Sequence, residues 1–250
     1  PSLHFNMASF NRHAKFSTNL LGFSSLNYWS RNYDDLLIGR FMGSVELGLY
    51  TKSYMLMMLP LSQIYSTLAR VMFPALSALK QDLPASRSLY IKASGAGNLI
   101  ALPFLAGLSI TSYDFIHITM GDQWMGVAPV LRIMCIASAF QVFTNPTEWI
   151  FMSSGRTDLM FRWSLVTSAV IVVAISFGVY LGSLQSVAWC YVAANALIFI
   201  PSIAIPFSLI GLSPLQVVHA HRGIWLAVAL MALSVGIVSH AFLSSQPPLA

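Results

Sequence analysis

The sequence is poor in charged residues and in cysteine. Of its 250 residues, 13 are Lys or Arg and 8 are Asp or Glu, which is 8% of the chain; soluble domains have about 25%. So few charges cannot cover a soluble domain of this length, and the bilayer must be the main solvent. The two cysteines, Cys135 and Cys190, lie inside apolar runs and have neither metal-ligand spacing nor a disulfide pattern.

The sequence also lacks basic tracts and long polar connections. Its basic residues stand singly between apolar runs, without the clustering that a nucleic-acid surface needs. No connection exceeds about 18 residues, which leaves no room for a soluble catalytic domain. The six histidines form no set with metal-ligand spacing. We therefore predict no enzyme, no catalytic residue, no metal site and no nucleic-acid partner.

What the sequence has is long apolar runs, in keeping with its 56% hydrophobic residues. A helix needs about 20 residues to cross a bilayer. The runs predict an all-α transmembrane fold, a polytopic helical bundle of about seven spanning helices. Pro60 in the second run, and Pro129 and Pro146 in the fourth, predict kinked or tilted helices. The predicted spans are 15–38, 47–73, 93–114, 124–152, 162–181, 184–207 and 224–243.

Basic residues are distributed unevenly between the two sides of these spans. Alternate connections hold eight Lys or Arg on one side and only Arg40 on the other. Because cytoplasmic connections are enriched in Lys and Arg, the N-terminal side of the chain is predicted to be cytoplasmic. The eight residues are Arg12, Lys15, Lys80, Arg87, Lys92, Arg156, Arg162 and Arg222.

The first predicted span carries a polar stripe. At 100° per residue, Asn27, Arg31 and Asp34 fall within about 60° of one another. Charges at membrane depth usually face a bundle interior or a water-filled cavity. The stripe is either a cavity wall that contacts a polar or anionic substrate, or an internal salt bridge such as Arg31 with Asp35 at i, i+4. Both interpretations stay open at this point.

The second span places Lys52, Gln63 and Arg70 on one helical face. These residues are candidates for substrate binding. The alternative is that Lys52 and Arg70, which lie near opposite ends of the helix, extend to the two membrane interfaces.

The fourth span ends with a polar face that includes Gln141, Asn145 and Glu148. Pro146 would free a backbone carbonyl beside Glu148, which makes this acid a candidate proton or cation site. The alternative is a hydrogen-bonded structural carboxylate. The last three spans are almost devoid of charge and are predicted to be scaffold that faces lipid and neighbouring helices.

The order of several motifs goes beyond composition. The sequence from Asn27 to Gly48, then Leu59-Pro60, the segment from Val71 to Ser77, Gly121 to Trp124 and Ser154-Gly155-Arg156 together resemble the Wzx-type polysaccharide exporters, especially the colanic acid exporter branch. These belong to the MOP exporter superfamily, with the lipid II flippases and the MATE drug exporters. The resemblance covers about residues 10–210 and is most specific in the first two spans.

The resemblance implies a two-lobe transporter with six helices in each lobe. This chain would then be the C-terminal portion, and we expect it to be a piece of a longer protein. Residues 1–14 would be a cytoplasmic connection, 15–207 the six-helix lobe, and 208–250 an extra peripheral transmembrane helix and loop. The implied location is the bacterial inner (plasma) membrane, as a multi-pass protein.

The implied function is to flip an undecaprenyl-pyrophosphate-linked oligosaccharide across that membrane. A pyrophosphate needs cationic partners, so Arg31, Lys52 and Arg70 would bind it. Asn27, Gln63 and Asp34 would complete the substrate site, and Asp34 and Glu148 would couple transport to H⁺ or Na⁺. No other cofactor is expected. Expected partners are the lipid-linked oligosaccharide, the bilayer, the N-terminal lobe and a polysaccharide polymerase or export complex.

Other functions remain open from the residues alone. A polytopic glycosyltransferase or polymerase acting on lipid-linked sugars would use the adjacent acids Asp34 and Asp35. A drug exporter, a lipid II flippase or a non-transporting scaffold in an assembly complex are further alternatives.

Overall fold

The computed structural model describes the backbone of residues 7–244 and the side chains of residues 17–26, 28–29 and 32–235. Within this range every regular element is helical, so the predicted all-α fold is confirmed. The helices are α1 (Met7–Phe41), α2 (Ser44–Ala78), α3 (Leu83–Ile110), α4 (Ser112–Met120), α5 (Val127–Thr144), α6 (Thr147–Ser153), α7 (Thr157–Tyr180), α8 (Leu184–Ile210), α9 (Pro214–Ala220) and α10 (Arg222–Ser244), with a 3₁₀ turn at Asp122–Trp124.

Four stretches of the described chain are long and apolar enough to cross a membrane: Leu83–Ile110, Val127–Ser153, Thr157–Tyr180 and Leu184–Ile210. A fifth arises if α9 and α10, which meet at an angle of 56°, count as one broken span. Helices α1 and α2 have 35 residues each, about 50 Å at 1.5 Å per residue, but they are more polar. The chain is thus a multi-pass helical membrane protein, and the number of seven spans stays a prediction.

Whether a proline interrupts its helix depends on its position in that helix. Helix α2 continues through Pro60 and Pro74, whereas the fourth predicted span divides at Asn145 and Pro146 into α5 and α6. Pro129 lies in the first turn of α5, where its missing N–H would have no intrahelical partner in any case. Only Pro146 therefore ends a helix in this part of the chain.

Helix α5 forms the centre of the bundle and contacts α2, α3 and α8. Helix α7 packs against α8 on one side and α1 on the other, and α10 packs against α3. Large buried side chains such as Tyr50, Met57, Leu131 and Met134 fill the space around α5. This arrangement leaves an opening between α1, α2 and the helices α5 to α8, in which the polar residues collect.

Candidate functional site

A polar cavity of about 180 Å³ lies inside the bundle. Its walls come from α1, α2, α5, α6, α7 and α8, together with the break between α5 and α6. Both acids that the sequence singled out for ion coupling, Asp34 and Glu148, line it. The fold thereby places Asp34 and Glu148, which are 114 positions apart in the sequence, around the same cavity.

Asp34 points into the bundle. Its side chain is 5% exposed, and Oδ2 accepts a hydrogen bond of 2.7 Å from the hydroxyl of Tyr50 on α2. The next residue, Asp35, is half-buried and accepts a 3.2 Å bond from the hydroxyl of Thr51. The two adjacent carboxylates therefore have different partners, and of the two it is Asp34 that lines the cavity.

Hydrogen bonds and ring contacts fix the wall of the cavity that α5 and α8 form. The amide of Gln141 donates to the hydroxyl of Tyr191 at 2.6 Å and to Oδ1 of Asn195 at 3.2 Å. The Asn195 amide donates in turn to the backbone carbonyl of Tyr191 at 2.8 Å. The ring of Tyr54 lies between those of Tyr50 and Tyr191, with centroid distances of 6.3 and 6.4 Å. This network holds oxygen atoms at defined positions around the cavity.

Glu148 reaches the cavity because the helix breaks just before it. At the break, the hydroxyl of Thr147 donates to the carbonyl of Thr144 at 2.6 Å. This bond satisfies a group that would otherwise be costly at membrane depth. The carbonyl of Gln141 keeps its backbone donor, the N–H of Asn145, at 2.9 Å. Glu148 lies in the first turn of α6, on an exposed position.

Of the other predicted site residues, the three on α2 that the structure describes do not line this cavity. Lys52 lies over the ring of Trp124, with its Nζ 5.8 Å from the ring centroid. Gln63 and Arg70 lie on an exposed face of α2. Asn27 and Arg31 belong to α1, but their side chains fall outside the described residues. The proposed substrate residues are therefore divided between an interior and an exposed surface.

The exposed face of α2 carries five polar side chains, Ser62, Gln63, Ser66, Thr67 and Arg70. The hydroxyls of Ser62 and Thr67 donate to carbonyls of their own helix, at 3.1 and 2.8 Å. The side chains of Gln63 and Arg70 have no hydrogen bond or ion pair to another described residue. The donors of Gln63 and Arg70 are therefore available to water or to a polar ligand.

One expectation from the sequence is wrong. Helices α7 and α8 were predicted to be scaffold, yet they contribute Trp163, Tyr191 and Ser202 to the cavity, and Asn195 binds the cavity residue Gln141 from behind it. The indole of Trp163 donates to the hydroxyl of Ser202 at 3.1 Å, which joins the two helices. A signal was present, because offsets of 4 and 11 residues put Tyr191, Asn195 and Ser202 on one helical face.

The chemistry of the cavity is that of carboxylate, amide and hydroxyl oxygens. Such ligands suit a proton or a hard monatomic cation. Among the described residues no group of three or more His, Cys, Asp or Glu could hold a metal ion. A volume of about 180 Å³ has room for a small cation together with several water molecules.

Comparison with known proteins connects this architecture to polysaccharide assembly. The chain is 28% identical over 200 residues to the teichuronic acid biosynthesis protein TuaB of Bacillus subtilis, covering 80% of the chain and 41% of TuaB. It is 28% identical over 178 residues to the lipopolysaccharide biosynthesis protein WzxC of Escherichia coli, covering 71% and 36%. The succinoglycan biosynthesis transport protein ExoT of Rhizobium meliloti is 20% identical over 187 residues, covering 74% and 38%.

The chain thus spans less than half the length of these curated relatives. No solved structure matches it. The resemblance to polysaccharide exporters is confirmed by the relatives' names, and the profile of the family described as polysaccharide biosynthesis protein matches residues 1–129, more than half of the chain. The chain therefore belongs to the polysaccharide biosynthesis protein family.

Proposed function

We propose that this chain is the C-terminal lobe of a flippase that moves an undecaprenyl-pyrophosphate-linked oligosaccharide across the bacterial inner membrane. The observation that carries the proposal is the separation of two polar surfaces. A half-open cavity between the helices holds the buried Asp34 and the exposed Glu148. An exposed face of α2 holds Gln63 and Arg70 without partners among the described residues. A coupled transporter needs both an ion site and a substrate surface.

The exposed face of α2 is the proposed substrate surface. Its arginine can bind a phosphate oxygen pair, and its amide and hydroxyls can bind sugar hydroxyls. On α1, Tyr28 and Trp29 are each 64% exposed and offer aromatic faces to sugar rings. Asn27, Arg31 and Lys52 stay proposed members of this surface. Asp34 is better suited to the interior, because its carboxylate is buried against Tyr50.

The opposite wall of the substrate path would come from an N-terminal lobe. The relatives are more than twice as long as the matched segment, which leaves length for such a lobe. A polysaccharide polymerase or export complex is a further proposed partner, because a flipped repeat unit has to be consumed on the far side of the membrane.

The interior cavity is the proposed coupling site. Asp34 and Glu148 would take up H⁺ or Na⁺ on one side of the membrane and release it on the other. The proposal is supported by the size of the cavity and by the oxygen ligands that surround the two acids. We propose no catalytic role, since Asp34 and Asp35 are engaged by Tyr50 and Thr51 respectively.

The proposed orientation places the N-terminal side of the chain in the cytoplasm. Lys80 and Arg156, from two connections that are predicted to be cytoplasmic, line one cavity at the same end of the bundle. Arg87 lies at that end too, where its Nε donates to the carbonyl of Ile210 at 2.6 Å. A common basic end supports a cytoplasmic assignment.

Complementation of a flippase-deficient bacterium by the full-length protein tests the function. Wild type should restore surface polysaccharide, while Arg70→Ala and Gln63→Ala should reduce it at equal amounts in the membrane. Arg132→Ala is the matched control, because Arg132 is an exposed arginine on α5, away from this face. Failure of the wild type in every polysaccharide system tried would refute the flippase, and full activity of Arg70→Ala would remove this face from the substrate path.

A further inference from the structure

A second cavity of about 230 Å³ lies where α2, α6 and α8 end and α3 begins. The transport proposal makes no use of it as a binding site. Its apolar side is formed by buried residues such as Leu76, Ile150 and Ile210. The rest of the lining is polar, with the cations Lys80 and Arg156 and the hydroxyls of Ser86, Ser153 and Ser154.

The fold brings the two cations together from separate turns. Lys80 lies between α2 and α3, and Arg156 lies between α6 and α7. Gly155 has φ +71°, a backbone conformation that favours glycine. The Nζ of Lys80 is 3.7 Å from the point that a β-carbon on Gly155 would occupy. The ammonium group of Lys80 thus lies directly over the turn that carries Arg156.

Of the two cations, only Arg156 has an acidic partner among the described residues. Asp158 binds Arg156, with distances of 3.2 and 3.5 Å. Asp82, two residues after Lys80, caps α3 by accepting from the backbone N–H of Ala85 at 3.0 Å. Lys80 forms no ion pair with any described residue. Arg87 lies at the same end, where it binds the carbonyl of the lining residue Ile210. Three cations therefore face two carboxylates, and Lys80 keeps its charge without an ionic partner, which favours an anion.

The hydroxyl groups narrow the choice of anion. Ser86 donates its proton to the carbonyl of Leu79 at 2.8 Å, and Ser153 donates to the carbonyl of Ile150 at 3.2 Å. Both oxygens are therefore left as acceptors toward the cavity. A ligand that matches the site carries a negative phosphate for the cations and hydroxyl donors for the serines.

The position of the cavity identifies the source of the phosphate. The stretches 83–110, 127–153, 157–180 and 184–210 all have one end here, and each is long and apolar enough to cross a membrane. The ends of spans lie at the level of lipid headgroups. We propose that this cavity binds an anionic phospholipid with a hydroxyl-bearing headgroup, of the phosphatidylglycerol type. Its phosphate lies between Lys80 and Arg156, and its headgroup hydroxyls donate to Ser86 and Ser153.

Thermal unfolding of the full-length protein in a neutral detergent tests the proposal. Added phosphatidylglycerol should raise the midpoint temperature of the wild type, while phosphatidylcholine with the same acyl chains should not. In Lys80→Gln and Arg156→Gln the apparent affinity for phosphatidylglycerol should fall about tenfold, as expected when one charge-assisted contact is lost. Lys92→Gln and Arg162→Gln are matched controls, because these exposed cations on α3 and α7 do not line the cavity.

The substitution Asp158→Asn should change the affinity for phosphatidylglycerol in the opposite direction. It frees Arg156 from its carboxylate partner, so the affinity for phosphatidylglycerol should rise several-fold, which no general loss of folding can imitate. Lys80→Gln with the same affinity as Lys92→Gln would overturn the proposal. Equal stabilisation by inorganic phosphate or glycerol phosphate would show that the site takes a soluble anion and would overturn the lipid assignment. Neither result bears on complementation by Arg70 variants, so the two proposals fail separately.

Discussion

Tyr50 donates a 2.7 Å hydrogen bond to Asp34, and this contact joins α1 to α2 inside the bundle. Tyr50 is 1% exposed and Asp34 is 5% exposed, so neither group exchanges this bond for one to bulk water. Asp34 also accepts a 3.0 Å bond from the backbone N–H of Asp35. The carboxylate is held by two donors, and the hydroxyl of Tyr50 is the one that a substitution can remove.

Tyr50→Phe should destabilise the protein through this pair. The substitution keeps the ring but leaves a buried carboxylate oxygen without its side-chain donor, which costs about 1–3 kcal/mol. The midpoint of thermal unfolding in detergent should fall. Tyr113→Phe is the control, because Tyr113 is 46% exposed and should change the midpoint little. An equal midpoint for the two variants would show that the hydrogen bond contributes nothing to stability.

A second polar contact joins α2, α3 and the start of α10 through Asn98. Tyr65 donates to its Oδ1 at 2.8 Å, and its Nδ2 lies 3.4 Å from Nδ1 of His221. The other ring nitrogen of His221 lies 3.2 Å from the carbonyl of Ile91. Asn98 is 0% exposed and His221 is 3% exposed, so the three side chains depend on one another for hydrogen bonds.

Two glycines of α3 make this contact possible, and their substitution should disrupt it. A β-carbon on Gly97 would lie 2.8 Å from Cε1 of Tyr65, and one on Gly95 would lie 3.0 Å from Nε2 of His221. Gly95→Ala and Gly97→Ala should each destabilise the protein by about 1–3 kcal/mol, as overpacking does. Thermal unfolding should show a lower midpoint for both.

Gly107→Ala provides the matched control in the same helix. The nearest atom to its added β-carbon is Cε of Met231, at 4.0 Å, which is ordinary contact. Alanine in a helix interior is then favoured over glycine by about 0.5–1 kcal/mol, so the midpoint should stay or rise. A drop in Gly107→Ala as large as in Gly97→Ala would contradict the packing argument.

The positions of the helices could be predicted from the sequence because each long helix contains one apolar run. The helix break at Pro146 could also be foreseen, since proline removes a backbone donor. Pro60 shows the limit of that rule, because α2 continues through it. Helix α4 was not predicted, since its nine residues lie partly in a predicted span and partly in a connection.

The candidate site could be predicted only in part, for a physical reason. Charged residues stand out against an apolar background, so Asp34 and Glu148 were identified. Tyr191 and Ser202 were not, because uncharged polar residues change the average hydropathy of a helix very little. Helical periodicity placed Asp34 on the polar stripe, but the sequence could not show the partners of the two adjacent acids, Tyr50 and Thr51 of α2.

In the α7–α8 hairpin, Gly178 of α7 lies against the backbone of Val187 of α8. A β-carbon on Gly178 would lie 2.6 Å from Cα of Val187 and 3.1 Å from its backbone nitrogen. Backbone atoms cannot rotate away as side chains do, so Gly178→Ala should separate the helices and cost several kcal/mol. Gly48→Ala, where nothing lies within 4 Å, should be tolerated. Comparing the membrane abundance and unfolding midpoint of the two variants tests this, and equal behaviour would contradict it.

The two acids in the cavity, Asp34 and Glu148, allow the proposed ion coupling to be tested by substitution. If Asp34 and Glu148 carry the coupling ion, Asp34→Asn and Glu148→Gln should weaken the dependence of transport on external pH or Na⁺. Asp35→Asn is the matched control, because Asp35 is the adjacent acid and binds Thr51 instead. Transport by the reconstituted full-length protein, followed over a range of pH and Na⁺ concentrations, provides the measurement.

A loss of coupling has to be distinguished from a loss of folding. Equilibration of substrate down its own gradient needs no ion gradient, so it should continue in Asp34→Asn vesicles while accumulation against a gradient stops. The reason is that the proposed coupling site is the cavity with Asp34, whereas the proposed substrate surface is the exposed face of α2 with Gln63 and Arg70. Wild-type dependence on pH and Na⁺ in both acid variants would refute the coupling site, and the cavity would then be a structural polar network that stabilises the break between α5 and α6.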